Sequence, residues 1–468
     1  MERAGEQASR GTLAGRPVGA TPAGGSRLRG SLRASIVDGA ACAAMTGFGE
    51  TYFPAFGLLL GASPLQVGLL TTVPMLCGAV AQLLAPRLAH RVGDRRFVIG
   101  AAALQAACFA PIAGLALGDG GSGRYPLLLA WVALYWMLAL GIHPVWNAWI
   151  GRLVPTPVRH RFFAVRGAAV NALLLGSTLG AGLLLQGSAS SGWGAANGFL
   201  ALFTLAGISR LVSVRFLGAQ HDPRVGPAPR RPRLLAIARG MGRHAYGRLV
   251  ALLVLMMGSV HLSAAYFTPY MLERLGLSYA EYTLLNAAVL ASLIVSSAYW
   301  GEMARRYGNR RALQVSGTLL VPLSALWVVS DHFAYLIALQ VVAGFAWAGF
   351  ELAIVLNLLD ATDDADRAQV LSLYTLLNGV AIVTGSLIGG VALRAMGEQG
   401  YHVLFLCSSA LRALVMLRLA RGVGVRREKE HSFPAVFVRV LSLRPGRGPE
   451  WRPLIFDERP RRRRSRRR

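Results

Sequence analysis

Apolar residues in this chain run in long blocks separated by short polar stretches. The blocks lie near residues 35–60, 65–86, 97–117, 125–151, 167–187 and 197–217, and after a polar interval they resume near 247–271, 281–302, 312–330, 334–359, 369–394 and 401–421. A helix needs about 20 residues to cross the hydrocarbon core of a bilayer, so the pattern predicts twelve transmembrane spans, numbered in chain order. The expected fold is an all-α membrane protein of twelve helices in two pseudo-symmetric six-helix bundles, residues 35–217 and 247–421. Residues 218–246 then form a loop between the bundles. Residues 1–34, rich in Gly, Ala, Ser and Arg without apolar periodicity, read as a disordered tail, and residues 422–468 as a basic one.

Charge placement orients the chain. The 49 Lys plus Arg outnumber 22 Asp plus Glu, giving a formal charge of +27 that would suit nucleic acid if it clustered on a soluble surface. Instead the arginines sit in alternate loops: Arg87, Arg91, Arg95 and Arg96 after span 2, Arg152, Arg159, Arg161 and Arg166 after span 4, seven from Arg224 to Arg248 after span 6, and Arg305, Arg306, Arg310 and Arg311 after span 8. The opposite face has Arg124, Arg274 and Arg394. Positive charge near span ends is retained on the cytoplasmic side, so both termini are expected in the cytoplasm and no nucleic-acid partner is needed. Seven arginines among the last eight residues suit anionic lipid headgroups or a solvated tail. The lone lysine, Lys429, against so many arginines fits a GC-rich bacterial genome, and hence a bacterial inner-membrane location.

With 54% hydrophobic and 15% charged residues the chain is unlike an ordinary soluble domain, which carries about 25% charged residues. Its four cysteines, Cys42, Cys77, Cys108 and Cys407, fall inside apolar blocks without the paired spacing of a zinc or redox site. Neither a phosphate-loop Gly-Lys-Ser/Thr nor a His-Glu-x-x-His metal motif occurs, and the G-x-G-x-x-G at Gly118, Gly120 and Gly123 follows a membrane helix, not a strand. The expectation is a protein that is not an enzyme and uses no metal or cofactor.

Displacing the chain on itself by 215 residues superposes Pro54 on Pro269, Gly61 on Gly276, Ser63 on Ser278, Arg91 on Arg306, Gly93 on Gly308 and Arg95 on Arg310. A parallel repeat of six spans places a solute site between the halves near the midplane. The loops after spans 2 and 8 carry the most specific marks: Pro86, His90, Arg91, Gly93, Asp94 and Arg95 in one, Gly301, Arg305, Arg306, Gly308, Asn309 and Arg310 in the other. Over residues 35–421 the chain resembles the major facilitator superfamily of secondary transporters. That resemblance implies alternating access, and makes Arg91, Gly93, Arg95, Gly301, Arg306, Gly308 and Arg310 its conformational loop residues. Both copies keep the Arg-x-Gly core and lose the acidic residue that in the family contacts the neighbouring bundle. Span 5 matches the superfamily's antiporter motif only in part, with Ala181 where the proline belongs.

Ionisable residues at membrane depth mark pathways, because charge there is costly. Glu50 lies on span 1, His143 on span 4, His261 on span 7 and Glu351 on span 10, and the resemblance makes these four the cavity-lining spans. At 1.5 Å per residue all four groups come within about 12 to 20 Å of the cytoplasmic ends, which permits a shared cavity. Such a set could take up and release protons, or could merely bridge helices. Tyr52, Trp146, Asn147 and Trp347 accompany them as substrate-binding candidates. Asp38, near the cytoplasmic end of span 1, is expected to be solvated, and Arg412 in span 12 to snorkel or pair. The resulting expectation is a monomeric, proton-coupled carrier of a small organic solute in the lipid bilayer. Its alternative is a transporter-like sensor or scaffold acting through its basic tails.

Overall fold

A computed structural model of the chain describes residues 22–118, 123–155, 158–221, 239–241, 244–362 and 367–422. The N-terminal half consists of span 1 (Pro22–Phe48, continued after a tight turn at Glu50–Tyr52 by Phe53–Leu59), span 2 (Pro64–Val92), span 3 (Asp94–Gly114), span 4 (Arg124–Leu153), span 5 (Arg159–Ser190) and span 6 (Ala195–Gly218). The second half has span 7 (Ala245–Ala264, continued by Phe267–Pro269 and Tyr270–Arg274), span 8 (Tyr279–Tyr307), span 9 (Asn309–Leu320 with Leu323–Leu326), span 10 (Phe333–Asp360), span 11 (Arg367–Met396) and span 12 (Gly400–Gly422). Among the described residues, ten helices are long and apolar enough to cross a membrane. Spans 1 and 9 fall outside that set for local reasons. Span 1 is rich in Gly, Ala and Ser and carries Asp38, while span 9 is interrupted at Pro322, which has no N–H to donate.

Helix reaches further than the apolar blocks. Span 1 begins at Pro22 and takes in residues 22–34, which by composition alone read as tail, and Ser31 is buried there, its hydroxyl accepting from the His221 backbone N–H at 3.0 Å. Most of the linking loop, and the basic C-terminal tail with its arginine cluster, lie outside the described residues.

The sequence repeat is a repeat of local structure. Spans 2 and 8 are each 29 residues long, and each opens with a reciprocal cap, Ser63 with Gln66 and Ser278 with Glu281. Each is preceded by a positive-φ glycine, Gly61 or Gly276, and followed by another, Gly93 (φ 93°) or Gly308 (φ 88°), which turns the chain into the next span. Immediately after that turn Asp94 is ion-paired with Arg152 at the end of span 4, and at the matching place Asn309 donates to Asp360 at the end of span 10 at 2.6 Å. The acidic contact of the first loop therefore stays within its own half. Arg95 adds a C-terminal cap to span 6, donating to the carbonyls of Gly218 and Gln220.

Aromatic packing repeats as well. Phe53 and Phe56 of span 1 meet Phe109 of span 3 and Phe199 and Phe203 of span 6 at centroid distances of 5.0–6.2 Å. Phe267 and Tyr270 of span 7 meet Trp327 beyond span 9 and Phe405 of span 12 at 4.8–6.1 Å. Lipid tails are as apolar as these rings, so tight packing rather than water exclusion holds such clusters together. Small residues serve the same end on span 11, where a Cβ on Gly385 or Gly389 would collide with the carbonyl oxygens of Gly258 and Leu262 in span 7. The span 11 glycines thus act in packing.

The halves meet toward the arginine-poor face. Tyr52 hydrogen-bonds the Thr178 carbonyl of its own half at 2.9 Å and the Thr283 hydroxyl of the other at 2.8 Å, and Tyr282 donates to the Thr51 carbonyl at 3.3 Å. Gln186 accepts from the Ala280 N–H at 3.3 Å, and the Tyr266 ring of span 7 lies against Gly68 of span 2. All these residues lie in the parts of spans 1, 2, 5, 7 and 8 remote from the arginine loops. On the arginine-rich side, His143, Asn147 and Glu351 are exposed on spans 4 and 10. The molecule is open toward its arginine-rich face.

Candidate functional site

Span 1 places Asp38, Cys42, Thr46 and Glu50 four residues apart on one helical face, a polar column about 18 Å long. The column forms one wall of a cavity of about 550 Å³, in the range of small-molecule sites, whose other walls come from spans 3, 4, 5 and 6. His143, Trp146 and Asn147 line it, with exposed His143 and Asn147 marking its mouth.

The cavity holds four charged side chains. Asp38 is 3% exposed and accepts from the Ser213 hydroxyl at 2.7 Å, and Arg210, 4% exposed, donates to the same hydroxyl at 2.9 Å. Asp38 is thus buried in a network, contrary to the solvated position expected from its nearness to the predicted span end. Arg166 also acts electrostatically on Asp38. Its Nε donates to the Ser35 carbonyl at 3.2 Å, and its Cζ sits 4.4 Å from the Trp146 ring centroid, a cation–π contact. Gly39 makes room for it, since a Cβ there would stand 2.7 Å from the guanidinium. At the far end Glu50 accepts a hydrogen bond from the Tyr135 hydroxyl, in the turn that breaks span 1, and Arg210 is the cation within its electrostatic reach.

Of the proton and substrate candidates, Glu50, His143, Trp146 and Asn147 share this cavity. The others lie elsewhere. Tyr52 is fully buried in the contact between the halves, and Trp347 packs edge-on against Phe350 at 6.0 Å. Glu351 faces Tyr374 of span 11. His261 lies beside Arg412 in the C-terminal half, with its Nδ1 unpartnered. Arg412 is 3% exposed, does not snorkel, and meets no carboxylate among the described residues. It donates to the carbonyls of Leu320 and Val260 at 3.0 and 3.4 Å and to the Ser263 hydroxyl at 3.3 Å, tying span 12 to spans 7 and 9 where span 9 breaks.

The residues that sequence reasoning misses are Arg166 and Arg210. Arg166 counts as a loop cation when span 5 is taken from residue 167, whereas the helix starts at Arg159. Arg210 sits eight residues inside the end of span 6, and the rule that selects Glu50 selects it too.

Two helical halves related by a 215-residue repeat thus meet toward the arginine-poor face, and the polar cavity is lined by the N-terminal half rather than by both halves as the repeat leads one to expect. The sequence model described as Major Facilitator Superfamily matches residues 39–265 and 248–457. The chain belongs to the major facilitator superfamily. It is a multi-pass membrane protein, with ten described helices long and apolar enough to cross a bilayer. A Caenorhabditis elegans protein named as a transporter, svop-1, is 24% identical over 136 residues, 29% of this chain and 26% of its own. The MFS antiporter QDR3 of Candida albicans is 28% identical over 121 residues, 26% of this chain and 17% of its own. These alignments thus span about a quarter or less of the curated relatives' lengths. Among solved structures, an auto-inhibited peptide transporter of the POT family superposes with a TM-score of 0.65 at 15% identity, covering 86% of this chain and 98% of that one, a likeness of fold.

Proposed function

We propose that this superfamily member moves a small organic solute across a bacterial inner membrane, coupled to protons, with Glu50 as the proton-carrying group. The observation that carries this reading is the position of Glu50, bonded to Tyr135 at the inner end of the cavity, where span 1 breaks. A carboxyl at such a bend can alter its contacts when the halves rock, so its proton affinity can differ between the two accessible states. On this reading the arginine-rich face is cytoplasmic, both termini lie on that side, the described conformation faces inward, and the chain works as a monomer. His143 at the mouth of the cavity is a second proton acceptor on the same path. His261 and Glu351 lie in the other half, away from this cavity, and stand outside this proton path.

The test is solute uptake into proteoliposomes with and without an imposed pH gradient, for wild type and Glu50→Gln. Gradient-driven accumulation by the wild type, reduced in Glu50→Gln to equilibration, is the expected result. Uptake by Glu50→Gln that responds to the gradient as the wild type does removes Glu50 from the coupling.

A further inference from the structure

The cavity's charges point to the class of solute. Arg166 and Arg210 are the cavity's two guanidinium cations. Asp38, linked to Arg210 through Ser213 and close to Arg166, offsets one of them, and Glu50 is the second carboxyl on the lining. With Glu50 ionised the four charges sum to zero. With Glu50 protonated the lining keeps one net positive charge, with Arg210 itself 4% exposed, a condition that an anion in the cavity relieves.

We infer that the cavity takes a small organic monoanion, held between Arg166 and Arg210, and that its entry is matched by a proton on Glu50. The inference rests on the transport reading above and adds its solute. Two states of the cavity are then neutral, ionised Glu50 without solute and protonated Glu50 with it. The hydrogen-bonding groups agree. Arg210 and Gln105, 4% and 1% exposed, are lining residues, and behind the cavity surface Arg210 Nε and Gln105 Oε1 make no hydrogen bond with the described residues. A turn of either side chain toward the cavity relieves the unmade bond and lets a solute accept from one and donate to the other. Arg166 uses its Nε on Ser35 and stacks on Trp146, an arrangement that leaves its terminal nitrogens as the edge for a planar or trigonal anion. Trp136 and Trp146 supply the flat walls for the solute's body. The solute thus carries one anionic group, one donor such as a hydroxyl, and a flat apolar portion.

The titratable groups around Glu50 are Tyr135 of span 4, Cys42 on its own helix and Arg210 of span 6, with His143 the rival for a proton in the same cavity. A test must therefore separate Glu50 from His143, and its ligand must not titrate. The probe is 4-(hydroxymethyl)benzenesulfonate, whose alcohol does not ionise, with its uncharged sulfonamide and (4-(hydroxymethyl)phenyl)trimethylammonium as controls, titrated calorimetrically into the full-length protein in detergent.

Binding of the sulfonate about tenfold tighter near pH 5.5 than near pH 8 is expected, with both controls weaker by about tenfold or more. Arg166→Gln should weaken the sulfonate by about tenfold, with Arg166→Lys recovering part of the loss. Glu50→Gln should fix affinity at its acid value and flatten the pH profile, while His143→Gln keeps the slope. If Arg166→Gln does not yield folded protein, the wild-type ranking of the three probes decides. Equal binding of the sulfonamide, preference for the ammonium, no binding of any probe, or a pH slope that disappears with His143→Gln overturns the inference. In proteoliposomes, proton-driven uptake of the ammonium or the sulfonamide alone removes the monoanion and leaves proton-coupled transport standing. Failure to take up any of the three probes, or any sugar, amino acid or organic cation offered beside them, removes both.

Discussion

A single buried hydroxyl joins the strongest charges of the cavity. Ser213 accepts from Arg210 and donates to Asp38, so neither charge meets an apolar wall alone. Removing one member of a buried charged network is expected to cost about 3 kcal/mol, because its partner stays buried without compensation. Asp38→Asn and Arg210→Gln should each lower the melting temperature of the purified protein, and the double variant should lose less than the sum of the two single losses. Additive losses would mean that the two residues act separately. The sequence misplaces Asp38 for a simple reason. Counted from the apolar block at residue 35 it sits at a span end, but the helix begins at Pro22, and sixteen residues of helix put Asp38 about 24 Å from that end. Arg166 is hidden by the same error at span 5. Glu50 and His143 are legible because each lies well inside its block, where a boundary error changes nothing, and Trp146 and Asn147 because they follow His143 on the same helix.

At the scale of the element, the turn after span 2 and the turn after span 8 use one backbone solution twice. Gly93 has φ 93° and ψ 134° and Gly308 φ 88° and ψ 153°, conformations that side-chain-bearing residues rarely adopt. Gly93→Ala and Gly308→Ala should each destabilise by about 1–3 kcal/mol, although nothing lies within 4 Å of a Cβ at Gly93. Gly100→Ala is the control, since Gly100 lies inside span 3 with open space around it and should gain up to about 1 kcal/mol in helix propensity. Thermal unfolding of the three variants checks both signs, and a Gly93→Ala variant as stable as wild type removes the backbone argument. The element pattern is readable because hydropathy reports span length and the repeat reports shared turns. The breaks at Glu50 and Pro322 are not, since hydropathy averaged over a block is blind to a local change of helix path.

On the scale of the molecule, what decides the open face is how firmly the other face is held. Tyr52 is a central fastening there, tying span 1 to span 5 and reaching across to Thr283 of span 8, where Gly182 lets span 5 and span 8 approach so closely that a Cβ would collide with the Thr283 side chain. One net hydrogen bond is worth about 0.5–1.5 kcal/mol, so Tyr52→Phe should raise the population open toward the arginine-poor face about two- to tenfold. Ser386, fully buried where span 11 meets Gly68 of span 2, is a suitable reporter once changed to cysteine in a background with the four native cysteines replaced by serine. Labelling of that cysteine by an impermeant maleimide should quicken about two- to tenfold on adding Tyr52→Phe, and Thr283→Val should act in the same direction. An unchanged rate would place the hold on this face elsewhere, in the packing of Tyr266 against Gly68 and Gly390. This arrangement lies beyond sequence reasoning, in which Tyr52 is one more aromatic beside Glu50. Along a helix the two residues are neighbours, but the turn at Glu50–Tyr52 directs one into the cavity of its own half and the other across to the opposite half.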